Sequence, residues 1–401
     1  MERNNVIKDI QNLPEGWKRV RLGEVIISNK NIAPKGSSPY LEIGDIDINS
    51  KKYFIKDKPS PNHCIKAKKG EIIISKVRPT RGAISIIKEP FLFVSPAFLL
   101  IDFHNSKFLF YSLSRTQFFN FLGKLETGTT YPSVNDKDVL SYKLPLPPLP
   151  EQQKIAEILE TVDNAIEKTD KIIEKYKRIK QGLMQDLLTK GIDENGNIRS
   201  EKTHKFKDSP LGRIPEEWEV VELGEVFKLK SGMTKPIDTS EFGNYPVYGG
   251  NGILGYTNEK NFNIETIIIG RVGEYCGSVY IANEGWVTDN ALYVVAKKID
   301  YNNIFLCYLL KYLNLNQFSA ETGQPLMTQT IIYRIQITLP PLPEQERIAE
   351  ILSQIDKTIE KEEQYKEKLK RIKQGLMEDL LTGKVRVNHL IKEGVENVLQ
   401  A

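Results

Sequence analysis

Several features that would define a chemical function are scarce or missing in this 401-residue sequence. Its three cysteines, Cys64, Cys276 and Cys307, are widely spaced and odd in number, which argues against a disulfide framework. There is no G-x-x-x-x-G-K-[ST] phosphate loop and no G-x-G-x-x-G fingerprint, since G270-R-V-G273 has the wrong spacing. The histidines show no metal-ligand spacing with each other or with the cysteines. We find no nucleophile-and-base constellation, so a stand-alone enzyme is not expected.

Long apolar runs are also missing. The longest run, F91-L-F-V-S-P-A-F-L-L-I101, is too short to cross a bilayer and contains a proline. The N-terminal residues have no apolar segment of the signal-peptide type. We therefore predict reduced thiols and a cytoplasmic location.

What the sequence does contain is a tandem repeat. The phrase L146-P-P-L-P-E-Q-Q-K-I-A-E-I-L159 returns 193 positions later as L339-P-P-L-P-E-Q-E-R-I-A-E-I-L352. The start L13-P-E-G-W-K-R-V-R-L-G-E-V25 reappears as I214-P-E-E-W-E-V-V-E-L-G-E-V226. Both halves also end on a shared K-R-I-K-Q-G-L-M segment. Each half is therefore a divergent body followed by a nearly unchanged tail.

The bodies predict an α+β fold. Short β-branched runs bounded by Gly, Pro and Asn are typical of strands, as at residues 72–77 and 266–272. One amphipathic helix is predicted in each body, near residues 107–125 and 303–318. The predicted segments are a first domain over 1–150, a first helix over 151–190, a linker over 191–213, a second domain over 214–343, a second helix over 344–384 and a tail over 385–401.

The tails predict two long helices with a coiled-coil seam. Apolar residues recur in alternating steps of four and three, over about four to five heptads in the first tail. A lone helix with a narrow apolar seam is unstable in water, so each tail is expected to pair with the other. The candidate spacer and partner-binding positions are Ile155, Leu159, Val162, Ile166, Gly182 and Leu183 in the first tail and Ile348, Leu352, Ile355, Ile359, Gly375 and Leu376 in the second.

Glycine and proline mark special positions in the tails. Gly182 and Gly375 lie inside the helical pattern, where glycine costs about 1 kcal/mol relative to alanine. Either the helix breaks there or two backbones approach closely; we favour close approach, because Leu183 and Leu187 continue the seam. The L-P-P-L-P phrase is interpreted as a joint that ends a strand and starts a helix, rather than as a polyproline ligand. The segment 191–213 is polar and without periodicity, which predicts a surface connection.

Charge is distributed unevenly between the two bodies. Residues 14–150 carry 21 Lys and Arg against 12 Asp and Glu, a net charge of +9, whereas residues 214–343 carry 9 against 14, a net charge of −5. Lys and Arg suit phosphate, Arg reads guanine edges and Asn suits adenine. The candidate nucleic-acid contacts are Lys66, Lys68, Lys69, Lys76, Arg78, Arg81, Thr129, Thr130 and Tyr131 in the first body and Tyr248, Asn251, Tyr256, Arg271 and Gln324 in the second. A solvated strand edge for the lysines, and a plain glycine-rich loop at 245–256, are alternatives that stay open.

With these motifs in place, the chain resembles the specificity subunits of type I restriction–modification systems. The resemblance rests on the L-P-E-G-W and I-P-E-E-W starts, the P-L-P-E-Q opening of both helices, and Y-P-V-Y-G-G-N-G-I-L-G-Y with T288-D-N-A-L-Y in the second body. It implies two target-recognition domains, antiparallel pairing of the two helices within the chain, and a pseudo-twofold arrangement of the repeats.

The resemblance also implies a function. Each domain would read one half of a bipartite site in double-stranded DNA, and the helix pair would set the number of unread base pairs and dock two modification subunits. This chain would be non-catalytic and hold no cofactor; S-adenosylmethionine, ATP and Mg²⁺ would be bound by the modification subunits, which methylate adenine, and by restriction subunits, which cleave DNA. The alternative is a homodimeric coiled-coil scaffold without DNA binding.

The unequal charge predicts unequal contributions to DNA binding. The basic first body is expected to supply most of the salt-dependent phosphate affinity, while the acidic second body depends more on a modification subunit.

Overall fold

The computed structural model describes residues 13–28, 31–320 and 324–391. The chain divides into two compact units. Unit 1 contains the described residues up to Asp170 together with those from Tyr365 onwards, and unit 2 contains those from Lys171 to Gln364. Each unit therefore combines one body with part of each tail. The six-segment division of the sequence stays a prediction, because the two units are defined by packing rather than by chain order.

Body 1 has α+β structure. Its strands are β1 (Lys18–Arg21), β2 (Ile27–Ser28), β3 (Ile32–Ala33), β4 (Tyr40–Leu41), β5 (Cys64–Lys68), β6 (Ile72–Ser75), β7 (Ile84–Ile86), β8 (Phe91–Val94), β9 (Phe98–Asp102) and β10 (Lys143–Leu146). Its helices are α1 (Leu22–Val25), α2 (Ser106–Leu113), α3 (Thr116–Gly123) and α4 (Asp136–Leu140). The strands form two four-stranded sheets, β2-β9-β6-β7 and β3-β5-β8-β4, and the antiparallel pair β1-β10 joins the start of the body to its end.

The long helix α5 (Leu149–Thr189) follows body 1 and precedes body 2. The strands after it are β11 (Phe206–Ser209), β12 (Gly212–Pro215), β13 (Glu219–Glu222), β14 (Phe227–Ser231), β15 (Tyr245–Gly249), β16 (Gly252–Thr257), β17 (Thr266–Gly270), β18 (Val279–Ala282), β19 (Trp286–Val287), β20 (Ala291–Lys297) and β21 (Gln336–Leu339). The helices are α6 (Leu223–Val226), α7 (Asn303–Tyr312), α8 (Gln329–Tyr333) and the long α9 (Leu342–Leu381). The sheets are β14-β20-β17-β18 and β16-β15-β19, and β13 pairs with β21 as β1 does with β10.

Both stretches predicted as amphipathic helices are helical, but neither is one continuous helix. In body 1 the helix is divided into α2 and α3, because Arg115 takes an extended conformation with ψ of 147°. In body 2 α7 ends and a 3₁₀ turn follows at Leu315–Phe318, because Asn314 adopts a positive φ of 48°. Both interruptions fall at polar residues between apolar segments, where the helical period alone gives no signal of a break.

The connection over 191–213 is more than the predicted surface segment. Ile192 is 2% exposed and packs in the core of unit 2. Farther along, β11 pairs with β12 in a hairpin whose register joins Phe206 to Pro215. A single buried apolar residue and a four-residue strand are too short to produce a visible period in a polar sequence.

The helices α5 and α9 are continuous over 41 and 40 residues, or about 60 Å at ~1.5 Å per residue. The ion pairs that join them are Asp163–Lys373 and Asp170–Lys366 in unit 1 and Lys177–Glu363 and Lys180–Asp356 in unit 2. Within each unit, residue numbers rise along α5 as they fall along α9. The helices therefore pack antiparallel, as the resemblance implied.

The predicted seam positions mostly face inward. Ile155, Leu159, Ile348 and Leu352 are fully buried, each against the body that its own helix follows. The remaining apolar seam positions, Val162, Ile166, Leu183, Ile355, Ile359 and Leu376, are partly or fully buried. The seam thus completes the core of each unit at the helix ends.

The interpretation of Gly182 and Gly375 as close backbone contacts is wrong for contacts within this chain. Both glycines are exposed, and a Cβ built at either would meet no atom within 4 Å among the described residues. Neither glycine breaks its helix. Because the seam passes through their neighbours Leu183 and Leu376, the glycines lie on the outer side of the helix pair.

The starts of α5 and α9 are held by buried glutamates at matched positions, Glu151 and Glu344. Trp17 Nε1 donates to Glu151 Oε2 at 2.9 Å, and Trp218 Nε1 donates to Glu344 Oε2 at 3.1 Å. The tryptophan of each body's opening motif therefore meets the glutamate of the P-E-Q motif that follows the same body. A carboxylate in the first turn of a helix also interacts favourably with the helix dipole.

The proline phrase acts as the predicted joint. Strand β10 ends at Leu146 and α5 begins at Leu149. Gln152 Nε2 donates to the Pro147 carbonyl at 2.8 Å, and Gln345 Nε2 donates to the Pro340 carbonyl at 2.8 Å. The glutamine of P-E-Q thus ties the helix start back to the proline lead-in.

An arginine from the segment after the other long helix completes each glutamate cluster. In unit 1, Arg386 Nε and Nη2 donate to Glu151 at 2.7 and 2.9 Å. In unit 2, Arg199 Nη1 is paired with Glu344, which also accepts from the Ile192 backbone N–H at 2.9 Å. In each unit, the segment that follows the tail of the other repeat therefore supplies the cation that pairs with the buried glutamate.

Candidate nucleic-acid interface

In unit 1 two loops meet beyond the end of β6, and we call them loop pair 1 (residues 76–81 and 127–133). The Arg78 backbone N–H donates to the Pro132 carbonyl at 2.7 Å, and Val77 forms a bridge with Ser133. The Arg78 guanidinium lies 4.9 Å from the Tyr131 ring centroid, and its Nη2 donates to the Thr130 carbonyl at 3.4 Å. Tyr131 is 68% exposed, so an aromatic ring and a cation are displayed together.

Other cations of unit 1 have different surroundings. Lys76 is paired with Asp136 at 2.9 Å, which reduces its availability for phosphate. Lys66 lies on β5 with its Nζ 4.5 Å from the Phe91 ring centroid, and Lys68 and Lys69 are exposed at the end of β5. The exposed lysines at the end of β5 come before β6, whereas loop pair 1 begins after β6. The length of β6 therefore separates these lysines from Arg78 and Tyr131. The structure therefore brings Arg78, Thr130 and Tyr131 together, with Arg81 and Thr129 exposed in the same loops.

Unit 2 has an equivalent arrangement, loop pair 2 (residues 271–276 and 324–328). Val272 forms a bridge with Leu326, and the Met327 backbone N–H donates to the Arg271 carbonyl at 2.8 Å. A Cβ on Gly273 would lie 3.1 Å from Gln324 Nε2, which places that amide beside the first loop. The matched residues Thr322 and Gly323 of the sequence repeat lie outside the described residues.

The β15–β16 hairpin turn lies against loop pair 2. A Cβ on Gly250 would be 3.5 Å from Tyr275 Cβ, 3.6 Å from the Asn290 carbonyl and 3.8 Å from Gly270 Cα. Asn251, the next residue in that turn, is exposed. The segments that carry Asn251, Arg271 and Gln324 are thus adjacent. Tyr275 and Asn290 are exposed in the same region, and of these two only Asn290 lies in a quoted sequence motif, T288-D-N.

The two remaining tyrosine candidates are placed elsewhere. Tyr248 is partly buried rather than projecting freely: its ring centroid lies 5.9 Å from that of Phe262 and 6.0 Å from that of Tyr280, against a small core cluster. Burial raises the pKa of its hydroxyl. Tyr256 is exposed on β16 but pairs through its backbone with Ser240, away from the hairpin turn.

Unpartnered polar atoms mark the same region of unit 2. Among buried side-chain atoms of the described residues, Arg271 Nε and Thr288 Oγ1 have no hydrogen-bond partner. The Arg271 backbone N–H donates to the Asn290 carbonyl at 2.9 Å, which places Arg271 beside the turn that contains Thr288.

Two further observations concern the thiols and the metal-binding side chains of the described residues. Burial raises the pKa of the Cys276 and Cys307 thiols, which disfavours the nucleophilic thiolate. Within the described ranges no three His, Cys, Asp or Glu side chains are grouped to hold a metal ion. In the same part of the chain no helix has the length and apolarity needed to span a membrane.

Comparison with known proteins follows the division into two repeats. The model of the family described as "Type I restriction modification DNA specificity domain" matches residues 14–177 and again residues 215–371. The chain is 31% identical to the putative type I restriction enzyme MjaX specificity subunit of Methanocaldococcus jannaschii, over 96% of this chain and 97% of that protein. It is 29% identical to the MjaVIII specificity subunit of the same organism, over 94% and 95% of the two chains.

Solved structures share the fold. The S subunit of a type I restriction–modification system from M. genitalium superposes with a TM-score of 0.63 at 17% identity, over 92% of this chain and 97% of that chain. A chain from a study of complex assembly in the type I R-M system gives 0.54 at 23% identity, over 93% and 100%.

Proposed function

This chain belongs to the type I restriction modification DNA specificity domain family, and we propose that its two units read the two halves of a bipartite DNA site. It is the DNA-recognition subunit of a type I restriction–modification complex and is itself non-catalytic. The observation that carries the proposal is the repetition of one family domain in two bodies that display matched loop pairs with different side chains. Matched scaffolds with unlike loops suit two different half-sites.

Each loop pair offers chemistry suited to DNA. In loop pair 1, Arg78 supplies a bidentate donor for guanine or phosphate, and the exposed Tyr131 ring supports its guanidinium. In unit 2, Asn251 and Gln324 offer amides that match adenine, and Arg271 supplies the cation. The lysines of β5 are assigned to the DNA backbone rather than to base edges, because they lie apart from the loops.

The helix pair supplies the spacing between the half-sites. Two reading domains on a rigid frame engage half-sites about one helical turn apart, roughly 34–36 Å. Continuous helices of 41 and 40 residues are long enough to serve as that frame. The pseudo-twofold relation of the repeats belongs to the same proposal.

Two modification subunits dock on the helix pair, one for each repeat. The matched outer positions Ile179 and Ile372 are 38% and 42% exposed, and each lies one helical turn before an exposed glycine, Gly182 or Gly375. An exposed isoleucine beside a glycine allows a partner helix to approach the backbone closely. The near-identical sequence around both positions gives two equivalent surfaces for two identical partners.

The reactive chemistry belongs to those partners. The modification subunits bind S-adenosylmethionine and methylate adenine-N6, and restriction subunits, when present, use ATP and Mg²⁺ to cleave DNA. This chain would contribute sequence reading and geometry alone.

Selection of DNA from a random duplex pool by the complex of this chain with its modification subunits tests the proposal. We expect two blocks of fixed sequence separated by a random gap of constant length. Substitution Arg78→Ala should relax the block read by unit 1 and leave the other unchanged, while Asn251→Ala should do the reverse. A single uninterrupted block, or no selection as expected for a scaffold protein, would contradict the proposal.

A further inference from the structure

Each body is joined to both long helices by a group of three residues, and the two groups are matched. In unit 1, Tyr111 of α2 donates its hydroxyl to Asp163 Oδ2 of α5 at 2.8 Å, and Lys373 Nζ of α9 lies 2.6 Å from Asp163 Oδ1. Lys373 Nζ is also 5.5 Å from the Tyr111 ring centroid. We call these residues triad 1. No sequence motif singled them out.

Unit 2 repeats the arrangement with the helices exchanged. Tyr308 of α7 donates its hydroxyl to Asp356 Oδ2 of α9 at 2.6 Å, and Lys180 Nζ of α5 lies 2.6 Å from Asp356 Oδ1. Lys180 Nζ is 5.3 Å from the Tyr308 ring centroid. These residues form triad 2. In each triad the tyrosine and aspartate come from one repeat and the lysine from the other.

The lysines of the triads occupy seam positions that the heptad pattern reserves for apolar residues. Their side chains are 27% exposed in Lys373 and 24% in Lys180, and the tyrosines are 5% and 6% exposed. Polar residues at isolated seam positions commonly fix register at a cost in stability. An apolar seam alone permits a slip of one heptad, whereas such a slip would separate each lysine from its aspartate and leave both charges in partly buried sites.

The register of the helices has a direct geometric consequence. Each body is joined to the start of one long helix, so a change in the register of α5 against α9 would shift one helix start relative to the other. A slip of one heptad moves one helix along the other by about 10 Å, close to three base-pair rises. The tyrosine hydroxyls donate to the same aspartates, so these hydrogen bonds also attach α2 and α7 of the bodies to the helix pair.

We infer that triads 1 and 2 set the register of α5 against α9, and thereby determine the number of unread base pairs that the complex accepts between half-sites. The triads are positioning residues that contact no base. The inference rests on the proposed function, because it assigns the source of the spacing that the proposal attributes to the helix pair.

The pKa of the tyrosine hydroxyls agrees with this role. Burial and the adjacent Asp163 carboxylate raise the pKa of Tyr111, and burial with the hydrogen bond to Asp356 raises that of Tyr308. Both hydroxyls therefore remain protonated donors to their aspartates across the ordinary pH range.

The test measures methylation by the complex of this chain with its modification subunits. Substrates carry both selected half-sites, with the gap between them varied one base pair at a time. The double variant Lys180→Met with Lys373→Met removes both cations and keeps apolar length at the seam. We expect its preference for the best gap over gaps about three base pairs longer or shorter, the change that a slip of one heptad would produce, to fall at least about fivefold, with the half-site sequences unchanged.

A matched control removes two other lysines of the same helices. Lys177 and Lys370 are equivalent in the repeats, and neither lies on the seam. Lys177 pairs with Glu363 on the other long helix, whereas Lys370 pairs with Glu367 on its own helix. The double variant Lys177→Met with Lys370→Met should keep the gap preference of the parent chain. Equal loss of preference in this control would overturn the inference, because it would attribute the effect to charge rather than to the triads.

A second double variant makes a smaller change to the triads, which lowers the chance that the chain misfolds. Tyr111→Phe with Tyr308→Phe removes two hydroxyls and keeps the rings, and it should weaken the gap preference about twofold. An unaltered gap preference in both triad variants would overturn the inference while leaving two-block recognition intact. If the parent complex itself showed no dependence on the gap, the proposed spacing function would fail instead.

Discussion

The glutamate at the start of α9 offers a sharp test of how unit 2 is held together. Glu344 accepts hydrogen bonds from Trp218 Nε1 at 3.1 Å and from the Ile192 N–H at 2.9 Å, and it pairs with Arg199. The side chains of the ion pair are only 12% exposed in Arg199 and 8% in Glu344. Substitution Glu344→Ala removes all three interactions and leaves the guanidinium in a partly buried site.

The expected cost follows from the loss of one partner of a buried ion pair. Such a loss typically destabilises a protein by about 3–5 kcal/mol, and the orphaned Trp218 and Ile192 donors act in the same direction. Glu344→Gln keeps an acceptor for one donor while removing the charge, so we expect about half that cost. Glu151→Ala in unit 1 should lower the stability less than Glu344→Ala does, because the Arg386 side chain is 27% exposed and water can solvate its unpaired guanidinium.

Hydrogen exchange at the amides of each helix start is the suitable assay. The chain has two units, so global unfolding need not be two-state, whereas exchange reports the local opening free energy. Glu344→Ala should accelerate exchange in unit 2 around residues 191–199 and the start of α9, and leave the start of α5 unaltered. A change in opening free energy below about 0.5 kcal/mol at those amides would refute the assigned role of Glu344.

Three further predictions follow from the described contacts. Gly182→Ala and Gly375→Ala should each stabilise the isolated chain by about 1 kcal/mol in thermal or chemical unfolding, because both sites are helical and open; a destabilisation would contradict this. Lys68→Ala removes a lysine assigned to the DNA backbone and should lower the magnitude of the slope of log affinity against log salt by about 1, whereas Tyr131→Ala should weaken DNA binding without altering that slope; equal slopes for the two variants would be inconsistent with their roles. Burial acts to raise the pKa of Asp45, but hydrogen bonds from two lysines and the backbone outweigh it and hold the pKa below its usual range. This group therefore stabilises unit 1 above its unfolded pKa of about 3.9 and loses that contribution as the pH falls through its lower folded value; unfolding of Asp45→Asn should show a shallower acid dependence, and an unchanged one would be contrary evidence.

The sequence predicted the long helices and the strands that surround the loops. Heptad spacing identified buried seam residues such as Leu159 and Leu352, because an uninterrupted period over many turns is a strong signal. Runs of β-branched residues identified β6 and β17, although the strands are shorter than predicted and end at Ser75 and Gly270. Heptad spacing and β-branched runs are both patterns of neighbouring residues that recur along the chain, so they can be detected without knowledge of the folded structure.

Contacts between distant segments were beyond that kind of pattern. Trp17 and Glu151 are both conspicuous in the repeat, yet only the folded chain shows that they meet. The glycines Gly182 and Gly375 were misinterpreted because a helical glycine is equally compatible with a close contact and with an open surface. Arg199 pairs with Glu344 in unit 2, and Arg386 pairs with Glu151 in unit 1, so each arginine follows the tail of the other repeat. No periodic pattern in the sequence indicates these pairs.

Sequencing of methylated bases in the host genome, with and without this gene, tests the central claim most directly. We expect methylated adenines in a motif of two fixed half-sites separated by a constant unread gap, and the loss of that motif when the gene is removed. Methylation that persists unchanged without the gene, or a motif read without a gap, would contradict it.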